Sequence, residues 1–165
     1  MLIPSKINEI ETISWDLILD TYSKIPVIPP IDLIKISDNL SLDIKFGNFA
    51  EPGIDGAFIR GKKTIYVNKN ASYQRQSFTI AHEIGHFLLH DDKQQETFYR
   101  KEMIHLDSDK EQEQEANWFA ASLLIPRELL IEYYGSLSSI QKVASAFMVS
   151  NSASYWRLKN LNLIK

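Results

Sequence analysis

Apolar residues recur at helical spacing from Ile7 to Tyr22, where Ile10, Ile13, Leu17 and Ile18 are set among acidic and polar positions, so this stretch predicts an amphipathic helix. Pro26, Pro29 and Pro30 then interrupt the chain, and Ile31 to Leu40 predicts a second, short helix opened by Pro30. Ser41 to Phe46 is strand-like, and Glu51-Pro52-Gly53 with Asp55-Gly56 marks a loop. Ala57 to Arg60 and Lys63 to Val67, separated by Gly61-Lys62, predict a β-hairpin with glycine at its turn and a second arm ending at Asn68. Ser72 to His90 is helical in pattern. Asp91 to Lys110 is polar without a firm period and predicts a surface loop, after which Glu111 to Ile125 predicts a helix stopped by Pro126. Three short helices follow, over Arg127 to Tyr134, Ser138 to Phe147 and Asn151 to Leu161. No repeat or long linker divides the 165 residues, so the expectation is one α+β domain over 1–165, with a core over 1–125 and a helical C-terminal lobe over 126–165.

Composition narrows the function classes. Hydrophobic residues make up 44% and charged residues 24%, which excludes wholesale disorder. With 18 Lys+Arg against 21 Asp+Glu, the formal charge of −3 gives no global attraction to nucleic acid or to an anionic membrane. The chain has no Cys, which rules out disulfides and thiolate metal sites and agrees with a reducing cytoplasm. Neither a secretory signal nor a run approaching the ~18 apolar residues of a membrane span is visible. A cytoplasmic protein acting away from the membrane is expected.

The Ser72 to His90 helix carries the clearest chemistry, His82-Glu83-Ile84-Gly85-His86. On a helical wheel His86 lies about 40° and Glu83 about 100° from His82, so both imidazoles share one face and can grip one ion. Glu83 sits beside them, able to reach a water on that ion. Ile80, Ile84, Phe87 and Leu88 lie on the other side and anchor the helix in a core. Neutral imidazoles suit Zn2+, and a catalytic zinc site uses three protein ligands while leaving a position for water. The bland alternative is a pair of surface histidines, but the chain's own His and Glu frequencies give only about 0.006 chance occurrences of His-Glu-x-x-His. Gly85 is unfavourable inside a helix and is explained by close approach of a neighbouring element. His90 falls near the same face, but two turns along it is expected to be a C-terminal charge partner, not a ligand.

Two histidines leave a ligand to be found. His105, Asp107, Asp109, Glu111, Glu113 and Glu115 are the downstream candidates. With Glu113 at zero, Asn117, Ala116, Ala120 and Ala121 lie within about 80° of it, forming a small, polar face suited to another helix. Glu111 and Glu115 lie about 160–200° round and are expected to be solvated acids at a helix start. Asn117 can accept the outer ring N–H of a metal-bound histidine. Glu113 is thus the favoured third ligand.

These motifs also resemble a known family. His-Glu-Ile-Gly-His, preceded by Phe78-Thr79-Ile80-Ala81 and followed by Glu-x-Glu-Ala-Asn-Trp-Phe-Ala-Ala-x-Leu-Leu-Ile-Pro over Glu113 to Pro126, is similar to the ImmA/IrrE-type metallopeptidases. The resemblance covers about residues 30 to 160. It implies a compact, zincin-like (minimal gluzincin) fold with a small β-sheet beside two active-site helices, zinc on His82, His86 and Glu113, and Glu83 as general base. It also implies limited cleavage of a helix-turn-helix repressor in phage, mobile-element or stress-response circuits. Ile125 stands where the family often has Met, a volume-conserving difference.

Other features stay open at this level. Tyr99, Arg100 and His105 could swing over the cleft to stabilise an oxyanion, or be ordinary surface residues. Thr64 to Val67 could receive an extended substrate by strand addition, or pair internally. Residues 136–165 contain no acid but carry Lys142, Arg157, Lys159 and Lys165, and Val143 to Leu161 resembles a helix-turn-helix. The rival reading is therefore a DNA-binding regulator with a structural metal. Four positive charges are few, and an open ligand set argues for catalysis. The expectation is that this basic lobe docks a protein substrate and that nucleic acid is not a partner.

Overall fold

The computed structural model describes residues 2–23, 25–90, 97–100, 107–137 and 139–164, with 97–100, 107–109 and 136–137 described by backbone alone. Helix α1 (Pro4–Tyr22) starts with proline in its first turn, earlier than the apolar period alone indicates. Helix α2 (Leu33–Asn39) opens on Asp32, whose side chain accepts the backbone N–H groups of Ile34 and Lys35. Asp32, and not Pro30, sets this start because its carboxylate satisfies donors that the first helical turn leaves unpaired.

Strands β1 (Asp43–Gly47), β2 (Ile54–Ile59), β3 (Thr64–Asn68) and β4 (Thr97–Arg100) form a sheet in the order β1-β3-β2-β4. β3 runs parallel to β1, with Asp43 opposite Thr64, and antiparallel to β2, with Phe58 opposite Ile65. Both sides of β3 are therefore taken, and of the two readings of Thr64 to Val67 internal pairing holds. The hairpin is present, but its turn is a short 3-10 segment (Arg60–Lys62) closed by Lys63 at φ 47°. Lys63, and not Gly61, takes the left-handed position. Asp55 and Gly56 belong to β2 and not to a loop. A methyl group on Gly56 would collide with Thr79 Cγ2 and lie 3.0 Å from the Tyr66 carbonyl, so glycine here lets the next helix sit close on the sheet. β4 lies in the stretch expected to be loop and pairs antiparallel with β2, Thr97 opposite Phe58. A four-residue strand in a polar run is specified by its neighbour's free backbone groups, which periodicity does not report.

Helix α3 (Tyr73–Leu89), capped by Ser72 Oγ accepting from the Arg75 N–H, packs on the sheet and against helix α4 (Asp107–Leu124). Ile80, Ile84, Phe119 and Leu123 join Phe58, Ile65 and Val67 in the core between them. Gly85 does mark a close approach. A methyl group there would lie 3.2 Å from Ala116 Cα and 3.2 Å from Phe119 Cβ, so α4 rests on the bare backbone of α3.

Helices α5 (Arg127–Leu137), α6 (Ile140–Phe147) and α7 (Asn151–Asn160) form the C-terminal part. Ser139 and Ser150 cap α6 and α7, and Met148 at φ 53° turns the chain between them. Arg157 is not available for the docking role expected of this lobe. It is 2% exposed, with Nη1 donating to Glu11 Oε1 at 2.7 Å and Nε donating to the Ile125 carbonyl at 2.9 Å. Glu11 also accepts from Trp118 Nε1 at 3.3 Å, so one carboxylate ties α1, α4 and α7 together. An arginine so enclosed cannot form a docking surface. Of the lobe's described cations, Arg127, Lys142 and Lys159 are exposed. Arg157→Ala would leave the partly buried Glu11 carboxylate without its counter-charge and empty the enclosed arginine site, and should destabilise the fold by about 3–5 kcal/mol. Denaturant unfolding checks this, and a loss below about 1 kcal/mol, the surface-pair range, would contradict it. No helix among the described residues is long and apolar enough to cross a membrane.

Candidate metal centre

Helices α3 and α4 bring together the residues that the sequence singles out. His82 Nε2 and His86 Nε2 are 3.0 Å apart, Glu113 Oε1 is 3.0 Å from His86 Nε2, and Glu113 Oε2 is 3.4 Å from His82 Nε2. Ligand atoms around a tetrahedral zinc with bonds of about 2.1 Å are separated by about 3.4 Å, so the spacing and donor set fit such an ion. His82, His86 and Glu113 thus form a cluster able to hold a metal ion. His82 and Glu83 are fully buried and His86 is 5% exposed, whereas the Glu113 side chain is 24% exposed. The expected cleft is therefore open chiefly on the α4 side.

The charges are arranged for the same purpose. Burial pushes the Glu83 carboxyl well above the usual carboxylate range, and the neighbouring Glu113 charge adds to this. Neither Glu83 oxygen has a hydrogen-bond partner among the described residues. Burial lowers His86 below its ordinary value, against the pull of Glu113, so its imidazole keeps the neutral form a metal requires as the pH falls through 6.5. Burial alone would raise Glu113, but hydrogen bonds and charge from His82 and His86 outweigh it and hold the carboxyl well below the usual range.

Both histidines are also gripped from behind. His82 Nδ1 lies 3.1 Å from Asn117 Oδ1, as helix phase indicates. His86 Nδ1 lies 3.0 Å from His90 Nδ1, and His90 Nε2 lies 3.1 Å from Glu115 Oε2. Glu115 is 8% exposed and its other oxygen is 3.7 Å from Lys6 Nζ, so it is not the solvated acid expected. Glu111 is exposed, as expected. His90 is outside the ligand cluster, yet the cation at the end of α3 is Arg60, whose guanidinium donates to the carbonyls of His86 at 3.1 Å and His90 at 2.5 Å. Nothing in the local pattern around Arg60 shows this reach across 30 residues.

His105 lies outside the described residues, and the side chains of Tyr99, Arg100, Asp107 and Asp109 are likewise not described. A cavity of about 460 Å³ runs from beside the site, where Phe78 stacks 6.0 Å from the His82 ring, to Val149 and Trp156 in the C-terminal part. Its walls come from α3, α4 and α7, a juxtaposition that sequence spacing does not report.

Two histidines one helical turn apart with a glutamate between them, faced by a carboxylate from the next helix of a small α+β fold, define a metallopeptidase-type domain. Residues 38–159 match the model of the IrrE N-terminal-like domain family (Peptidase_M78), and the chain belongs to that family. It is 32% identical over 103 residues to an uncharacterized immunity region protein 2 of Bacillus phage phi105, covering 62% of each chain. A Mycobacterium tuberculosis transcriptional regulator shares the fold at a TM-score of 0.71 and 14% identity, over 92% of this chain and 46% of that one. The chain thus spans about three-fifths of the phage protein and under half of the regulator.

Proposed function

We propose that this protein is a zinc-dependent endopeptidase that makes a limited cut in a protein substrate, a helix-turn-helix transcriptional repressor. The observation that carries the reading is the convergence of His82, His86 and Glu113 beside the buried carboxylate of Glu83, which has no hydrogen-bond partner among the described residues. Zinc bound there would supply Lewis acidity, bringing the pKa of water to about 7 and polarising the scissile carbonyl. Its positive charge would also favour the ionised Glu83 that a base must be. Glu83 takes the proton of the attacking water on a carboxylate oxygen and returns it to the departing amine. Asn117 keeps the His82 proton on Nδ1, leaving Nε2 to ligate.

Similarity to a phage immunity region protein supports a repressor as substrate. The rival reading, a DNA-binding regulator with a structural metal, is weakened because Arg157, one of the lobe's few cations, is buried in an ion pair. The test is co-expression with a candidate helix-turn-helix repressor. A single cut, prevented by a chelator, is expected; an intact repressor with zinc-loaded protein would refute the substrate assignment. Metal analysis should find about one zinc per chain, most of it lost in His82→Ala and in His86→Ala. Full occupancy in both variants would remove these histidines from the site.

A further inference from the structure

His90 and Glu115 lie outside the ligand cluster, are both 8% exposed and are joined to His86 in a row. We infer that they are positioning residues, a histidine–carboxylate relay that fixes the proton and the ring plane of His86 from behind; this rests on the proposed metal centre. The hydrogen bonds leave one consistent set of proton positions. A histidine that gives its Nε2 lone pair to a metal carries its proton on Nδ1. His86 Nδ1–H then points at His90 Nδ1, 3.0 Å away, which must accept. His90 therefore carries its proton on Nε2, and Glu115 Oε2 accepts that proton at 3.1 Å. Lys6 Nζ flanks the far oxygen of Glu115 at 3.7 Å. Arg60 holds the carbonyls of His86 and His90 together, fixing the spacing of the two rings along the helix end.

The two ligand histidines are thus secured by different means, His82 directly by Asn117 and His86 through an intervening ring. Both anchors come from α4, two residues either side of Glu115 being Glu113 and Asn117. One helix therefore supplies a metal ligand and both outer supports, with Glu115 on the side turned away from Glu113 and Asn117. Such supports raise ligand basicity and hold the ring in its binding plane, and losing one lowers metal affinity by about 10- to 100-fold.

Two measurements on the whole chain test the relay. In the zinc-loaded wild type, long-range proton–nitrogen NMR spectra of the imidazoles should show His82 and His86 protonated on Nδ1 and His90 on Nε2. A His90 protonated on Nδ1 would overturn the inference without any variant. Zinc competition against a chelator should then show His90→Ala and Glu115→Ala weakened about 10-fold or more. Glu115→Gln, whose amide oxygen still accepts from Nε2–H, should recover part of that affinity. A merely structural pair would lower the melting temperature of the metal-free variants and leave zinc affinity unchanged, and unchanged affinity in both Ala variants also overturns the relay. Wild-type protein that takes up no zinc would instead refute the proposed function, and the relay with it.

Discussion

Glu83→Gln should abolish peptide cleavage while zinc stays bound. General acid–base catalysis of this kind contributes about 10²- to 10⁴-fold, and an amide of nearly the same shape cannot take the proton of the attacking water. The environment of Glu83 adds a second expectation. Its carboxylate is fully buried with neither oxygen hydrogen-bonded among the described residues, so in the metal-free chain the charged form is the strained one. The Gln variant should therefore melt no lower than wild type without metal. Cleavage assays, metal analysis and thermal melts on one preparation check all three points. Near-normal cleavage would remove Glu83 from the chemistry, and loss of zinc would make it a ligand.

Glu113→Ala should weaken zinc more than any change behind the ligands. It takes away one of three protein donors, whereas Asn117→Ala removes only the acceptor of the His82 Nδ1–H and should lower affinity by about 10- to 100-fold. The same variant should alter the acid limb of stability in the metal-free chain. Because the folded state holds this carboxyl below its ordinary value of 4.5, its contribution is complete above that value and drains away as the pH falls toward the lowered one. Glu113→Ala should flatten the stability profile there. If chelator competition ranked Asn117→Ala as the more damaging change, Glu113 would not be a ligand.

The convergence of His82, His86 and Glu113 was legible because it depends on one helix at a time. His82 and His86 are related by the helical repeat of α3, and Glu113 and Asn117 by that of α4. Gly85 was readable for a similar reason, since a glycine inside a strong helix asks for an outside contact. Glu115 shows where this method stops. Its phase on α4 correctly turns it away from Asn117, but phase gives a direction and not what stands there. His90 at the end of α3 and Lys6 on α1 occupy that direction and bury it. Arg157 was misread likewise, because its partner Glu11 lies on the first helix. Strand β4 was invisible because its partner β2 lies about 40 residues earlier, and four residues carry too little alternation to identify a strand.

The junction on Glu11 also bears on the order in which the protein is made. Its two charges are separated by 146 positions, so a ribosome makes both helices of the candidate metal centre before it supplies Arg157. Until then a carboxylate destined for the interior has no counter-ion, and desolvating it is unfavourable. The seat of helix α1 under α4 is therefore complete only once Arg157 is in place, so the two ends of the chain lock the fold together.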